Sequence, residues 1–238
     1  MKNFIEVTEL KKVFGNGADE VHAFGPATMN INAGEFVSIL GPSGCGKSTL
    51  MLMVAGLLDS TSGKVEFEKK LVNGPKTDIG IMFQDNTLVP WRTVRGNIEL
   101  QLELRGLNLK DYQEQINNIL KSVNLEDFAE RFPNELSGGM QQRAAFCQAM
   151  IHDPKIILLD EPLGKLDAMT REKIRADFQK LWMVKKPTVI FVTHSIEEAV
   201  QLSNRVILIT PRPGKIDREM KIDLPYPRDL KVKRSPKF

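Results

Sequence analysis

The sequence has little of what would place it outside the cell or across a membrane. It contains only two cysteines, Cys45 and Cys147, too few for a metal cluster and in keeping with a reducing compartment. Both are expected as thiols. Its longest apolar stretch is LMLMVAGLL at Leu50–Leu58, less than half of the roughly 20 residues that a spanning helix needs, so it reads as a buried helix. MKNFIEVTEL at the N-terminus has neither the apolar core nor the small-residue cleavage site of a secretory leader; the expectation is a protein that stays in the cytosol. An excess of one charge is missing too. The net charge is +3 and the pI about 8.8, short of the basic footprint that would point to nucleic acid, and no nucleic-acid partner is expected. Part of the excess lies in KVKRSPKF, Lys231–Phe238, which reads as a solvated tail rather than a lipid contact.

What remains is an ordinary globular balance, 42% apolar and 26% charged over 238 residues, enough for one substantial domain with an inserted lobe. FIEV, ATMNINAG and EFVSIL read as strands, the last feeding directly into GPSGCGKST, with a helix in STLMLMVAGLL. GKVEFEKKLVNGPKTDIGIMFQ gives two β-like runs around Asn73-Gly74, a strong turn signal. From Thr93 the spacing turns helical, through TVRGNIELQLELRGL, DYQEQINNILKSVNL and a helix from the glycine pair of LSGGMQQR to a stop before Pro154. A helical lobe is therefore expected at about residues 88–153 of a single domain spanning 1–238. After Pro154, the buried strands KIILLDEP, TVIFVTH and RVILIT alternate with the helix-like DAMTREKIRADFQKLWMV. That alternation predicts an α/β fold with a mostly parallel sheet.

GPSGCGKST at Gly41–Thr49 satisfies G-x-x-x-x-G-K-[ST] between a buried strand and a helix, the context that the pattern requires. Gly41, Pro42, Ser43, Gly44, Cys45 and Gly46 form a loop whose amides, with those of Lys47, Ser48 and Thr49 at the helix start, can surround nucleotide phosphates. Lys47 adds a positive charge at the β/γ-phosphates and Ser48 a hydroxyl for Mg²⁺. The strand in KIILLDEP ends on Asp160, a carboxylate whose desolvation a metal ion offsets. Glu161 follows, placed to take a proton from attacking water.

A second stretch, LSGGMQQR, also opens a helix with Ser and two glycines. Taken in order, GPSGCGKST, Gln84 in IMFQ, LSGGMQQR, ILLDEP, LDA at Leu166–Ala168 and His194 in VTHS resemble an ATP-binding cassette (ABC) ATPase over most of the chain. The resemblance implies a P-loop NTPase (RecA-like) core with an N-terminal antiparallel β-subdomain and an inserted α-helical subdomain. It implies ATP and Mg²⁺ as ligands, and a head-to-tail dimer in which Ser137, Gly138 and Gly139 of one copy cap the ATP on the other's phosphate loop. On the same grounds Gln84 senses the γ-phosphate and the metal, His194 contacts the γ-phosphate, Asp167 lies at the dimer interface and Phe14 stacks on adenine. Three positions depart from the family pattern: Met140, Gln148 and Lys165, the last expected close to the dimer seam, where it either weakens the closed dimer or finds an acidic partner.

GPKTDIGIMFQDNTLVPWRTVRGNI and PRPGKIDREMKIDLPYPRD resemble ATPase subunits of bacterial importers for nitrate, alkanesulfonates and taurine. That resemblance implies an integral membrane permease as partner, an extracytoplasmic solute-binding protein acting indirectly, and a peripheral location on the cytoplasmic face of the inner membrane. Trp91 is a candidate for the permease-facing groove or for plain packing. Exporter subunits and soluble ABC ATPases are the alternatives; the long coiled-coil insertions or paired cassettes of the soluble members are not visible in the sequence.

Overall fold

A computed structural model describes residues 2–85, 87–236 and 238. The elements in chain order are β1 (Ile5–Phe14), β2 (Val21–Ile31), β3 (Phe36–Leu40), α1 (Lys47–Val54), β4 (Ser62–Phe67), β5 (Lys70–Leu71) and β6 (Ile79–Met82). Next come α2 (Val94–Glu103), α3 (Gln113–Ser122), α4 (Gly138–Met150), β7 (Ile156–Asp160) and α5 (Ala168–Lys185). β8 (Thr188–Thr193), α6 (Ile196–Leu202), β9 (Arg205–Ile209), β10 (Ile216–Lys221) and α7 (Leu230–Lys233) complete the chain. Among the described residues no helix is long and apolar enough to cross a membrane. The chain forms two compact units, residues 1–76 with 186–238, and residues 77–185.

The first unit holds an antiparallel sheet in the order β2-β1-β4-β5. Its other sheet strands are β3, parallel to both β8 and β9, and β10, antiparallel to β9. β3 and β8 are buried along their whole length, as continuous apolar runs in a parallel sheet covered on both faces must be. α1 packs on β2 and β8, and α6 on β3 and β8. One expectation fails in this unit. The hairpin turn falls at Glu68–Lys69, where both residues have positive φ (+50° and +63°) and Phe67 pairs with Lys70, not at Asn73-Gly74, which follows β5 as a connector. Two positive-φ residues are what a two-residue turn requires, and cross-strand pairing imposes them on residues with no local preference for them.

The second unit pairs β6 and β7 in parallel, packs α4 on β6, and joins α2, α3 and α5 to α4. α2 begins at a Thr93 cap on the Gly96 amide. Asn97, fully buried, donates to the carbonyls of Val89, Arg92 and Thr93 and accepts from the Val89 amide, tying the approach loop to α2. α4 meets α5 through Phe146 and Phe178, whose rings stack at 4.0 Å, a contact worth about 0.5–1.5 kcal/mol beyond area burial.

His152, past the end of α4, accepts a hydrogen bond at Nε2 from Arg105 (3.1 Å). Burial, and then the Arg105 charge, lower its pKa from 6.5 to about 4. The unfolded chain therefore binds a proton that the folded one refuses, so stability is complete above pH 6.5 and declines as pH falls towards 4. Thermal midpoints measured across that window are expected to drop more steeply for the native chain than for His152→Gln; parallel curves would remove His152 from the acid response.

Candidate functional site

In the first unit, buried β3 ends at Leu40 and releases the loop Gly41–Gly46 into α1. Gly46 has φ +93°, and a Cβ there would lie 2.3 Å from the Ala23 carbonyl oxygen, so a side chain is excluded twice over. As the N-cap of α1 it also provides no side-chain cap, which leaves the first helical amides for an anion. Lys47 is buried, 4% exposed, and arches back so that Nζ donates to the Gly41 and Pro42 carbonyls, both at 2.9 Å. Ser43, Gly44 and Ser48 are exposed, while Cys45 is buried. Neither Cys45 nor Cys147 is in a disulfide.

The register carries a second residue to this loop. Leu40 pairs with Thr193 across parallel β3 and β8, so Gly41 and the exposed His194 leave neighbouring strands at the same end. Ligands of parallel α/β sheets bind at that carboxyl end. Leu40 also pairs with Leu208 of β9, and the following PRPG segment returns to brace the loop: a Cβ on Gly214 would lie 1.8 Å from the Cys45 carbonyl oxygen, the Gly25 amide donates to the Gly214 carbonyl at 2.8 Å, and Arg212 Nε donates to the Gly44 carbonyl at 3.3 Å. Phe14, at the end of β1, is 43% exposed, which removes it from the core, and Lys12 Nζ stands 5.0 Å from its ring centre.

The second unit repeats the arrangement with different chemistry. Met82 pairs with Leu159 across β6 and β7, so exposed Gln84 and the Asp160–Glu161 pair emerge at one end. Asp160 is 7% exposed. Glu161 has φ +42°, a left-handed conformation that costs a non-glycine residue about 1–3 kcal/mol and persists where the surrounding structure imposes it. Here the turn after β7 does so, closing with a bond from the Gly164 amide to the Glu161 carbonyl (3.1 Å). Lys165 finds its acidic partner in its own chain, Asp85, next to Gln84.

Ser137 caps α4, its Oγ accepting from the Met140 amide at 3.4 Å. That is long for a hydrogen bond, and Ser137 and Gly138 are both exposed, so the hydroxyl and the helix start are available to an anion. Below this turn the helix is anchored: Arg143 Nε sits 3.2 Å from Asp177 Oδ2 of α5, and although burial raises the Asp177 pKa, Arg143 opposes the shift. Gly139 is buried, and a side chain on Gly138 would lie 3.8 Å from Leu166, next to Asp167. Asp167 caps α5 through the Met169 and Thr170 amides. Hydrogen bonds from Thr170, side chain first and then backbone, hold its carboxyl below the usual range.

Thus Gly41–Thr49 and His194 come together in one unit, and Gln84 with Asp160 and Glu161 in the other. Asp85 and the Arg212–Gly214 brace were missed; more than 160 residues separate that brace from the loop it touches, and no local pattern signals it.

Residues 24–164 match the ABC transporter family. The chain belongs to that family. Among its relatives, a taurine import ATP-binding protein of Jannaschia sp. is 44% identical over 222 residues, 92% of this chain and 83% of the relative. A nitrate import ATP-binding protein of Synechocystis sp. is 40% identical over 240 residues, 98% of this chain and 90% of the relative. The cassette also superimposes on a dimeric, post-hydrolysis ATP-binding cassette bound to ADP and Pi, with TM-score 0.80 and 35% identity over 92% of this chain and 98% of that one. This ABC chain is accordingly an ATP-binding ATPase with a P-loop NTPase α/β fold, a mostly parallel sheet and an N-terminal antiparallel one.

Proposed function

We propose that the protein is the ATP-hydrolysing subunit of an importer for a small solute of the nitrate, sulfonate or taurine class. It would work through a separate membrane permease at the cytoplasmic face of the inner membrane, and an extracytoplasmic binding protein would deliver the solute. The observation that carries the mechanism is the exposed, loosely capped Ser137–Gly138 turn, which would serve as a second anion site in a chain that already has a phosphate loop. Two copies arranged head to tail would use both: Gly41–Thr49 of one with Ser137, Gly138 and Gly139 of the other. The import names of relatives that cover nearly all of the chain support the transport reading.

In this reading Lys47 and the loop amides bind the β/γ-phosphates and Phe14 stacks on the base. Glu161 accepts the proton of the attacking water, His194 and Gln84 contact the γ-phosphate, and Asp167 faces the partner copy. Among the described residues no group of three or more His, Cys, Asp or Glu converges, which suits Mg²⁺: that ion is held by one or two carboxylates together with substrate phosphates. Ser48, Gln84 and Asp160 would hold it, and its charge would offset that of the phosphates. ATP-dependent closure and hydrolysis-dependent opening of the dimer would then drive the permease.

Sedimentation of purified Glu161→Gln protein is expected to show a dimer with ATP and a monomer with ADP or without nucleotide. Capture from native membranes is expected to bring down a permease together with a solute-binding protein. A monomer under every condition counts against the ATP-bridged dimer, and a partner that is no permease counts against the transport role.

A further inference from the structure

Helix α6 begins two residues after His194 and has seven residues, too few to be stable alone. Its start is fastened on both sides of His194. Thr193 Oγ1 donates to Glu198 Oε2 at 2.5 Å between buried side chains, the Ser195 amide donates to Thr193 Oγ1 at 3.0 Å, and Ser195 Oγ accepts from the Glu198 amide at 3.3 Å. β8 delivers His194 to the loop, and the stance of α6 sets the far side of the turn that carries it.

The rest of the fastening comes from residues 222–233. Arg228 is fully buried, 0% exposed. Its Nη1 donates to the Val200 and Ser203 carbonyls (2.5 and 2.7 Å) at the C-terminal end of α6. Nε and Nη2 donate to the Leu224 carbonyl at 3.2 and 3.0 Å, Nη2 also to that of Ile222 at 3.4 Å, and the guanidinium lies 4.1 Å from the Tyr226 ring centre. The Tyr226 hydroxyl donates to the Leu202 carbonyl at 2.9 Å, and Gln201 Nε2 donates to the Arg228 carbonyl at 3.3 Å. At the other end, Lys233 of α7 pairs with Glu197 in the first turn of α6 at 2.6 Å. So KVKRSPKF is not simply a solvated tail: its α7 turn is tied to the helix beside His194.

Burying a charge is costly in itself, and an apolar side chain in its place would leave the carbonyls of Val200, Ser203 and Leu224 without this donor. What the guanidinium adds is direction. Its fork accepts one arrangement of the α6 carbonyls, and its charge complements the negative end of the helix.

We propose that Arg228 and Lys233 are positioning residues for His194, holding both ends of α6 so that the imidazole is set for hydrolysis. The proposal rests on the reading of His194 as a γ-phosphate contact. Because the phosphate loop is built elsewhere, the effect should fall on kcat and not on KM.

The test is steady-state and single-turnover ATPase of the full chain. Arg228→Lys is expected to lower kcat roughly 10- to 100-fold, the scale of a small misplacement of a reacting group, with KM for ATP within about twofold of the native value. The same substitution made on top of His194→Ala is expected to cost nothing further, because the group that Arg228 positions is gone. An unchanged kcat for Arg228→Lys, or a loss that simply adds to that of His194→Ala, overturns the proposal while leaving the reading of His194 intact. A native kcat for His194→Ala overturns that reading, and the proposal with it. If Arg228→Lys does not fold, the exposed end decides. Lys233→Glu and Glu197→Lys are each expected to lower kcat about threefold or more, and their combination, which restores the pair with its charges exchanged, to recover it. Failure to recover overturns the proposal.

Discussion

Glu161→Gln is expected to lower ATP turnover about 10²- to 10⁴-fold, the usual range for loss of a positioned general base, while ATP affinity stays close to native. The amide has nearly the shape of the carboxylate, so the left-handed turn at φ +42° and the neighbouring Asp160 should be undisturbed. The capacity to accept a proton is lost, together with the negative charge. Single-turnover hydrolysis with excess protein measures the chemical step, and equilibrium binding of a fluorescent ATP analogue measures affinity. A variant that still turns over at a native rate would take the base role away from Glu161. One that fails to bind would show instead that the carboxylate charge organises the site.

The second large effect is recovery of activity from two inactive proteins. Lys47→Ala removes the charge of the phosphate loop and Ser137→Ala removes the hydroxyl of the signature turn, and each alone is expected to lose about 10²-fold or more, as for a missing donor at developing charge. Mixed in equal amounts and allowed to exchange, half the dimers should be mixed, each with one intact site of two, restoring roughly a quarter of native activity. The arrangement is informative because the other geometry predicts nothing. If the signature turn served the phosphate loop of its own copy, every copy would carry one broken part, and mixing would change no rate.

Much of the framework of the candidate site was legible because it is local. GPSGCGKST carries its own turn glycines, lysine and hydroxyl within nine residues, and the buried runs before Gly41, Asp160 and His194 announce strands whose ends must deliver them. Even the head of α4 could be read from Ser137 and the glycine pair. What could not be read depends on pairings across long separations. The hairpin turn at Glu68–Lys69 is imposed by Phe67 opposite Lys70, whereas the stronger local signal at Asn73-Gly74 has no partner strand to close upon. Lys165 looked like a liability until Asp85, 80 residues away, was seen beside it. The tail looked solvated because a run of Lys and Arg says nothing about Glu197, which the fold sets against Lys233.

The brace on the phosphate loop has a consequence for the order in which the protein is made. Thr49 and the rest of the loop leave the ribosome 165 residues before Gly214, which with Arg212 closes on Cys45 and Gly44. At about 5–20 residues per second, the loop exists for roughly 8 to 33 s without the segment that supports it. During that interval the nascent chain carries the motif without the β9 turn that packs against it.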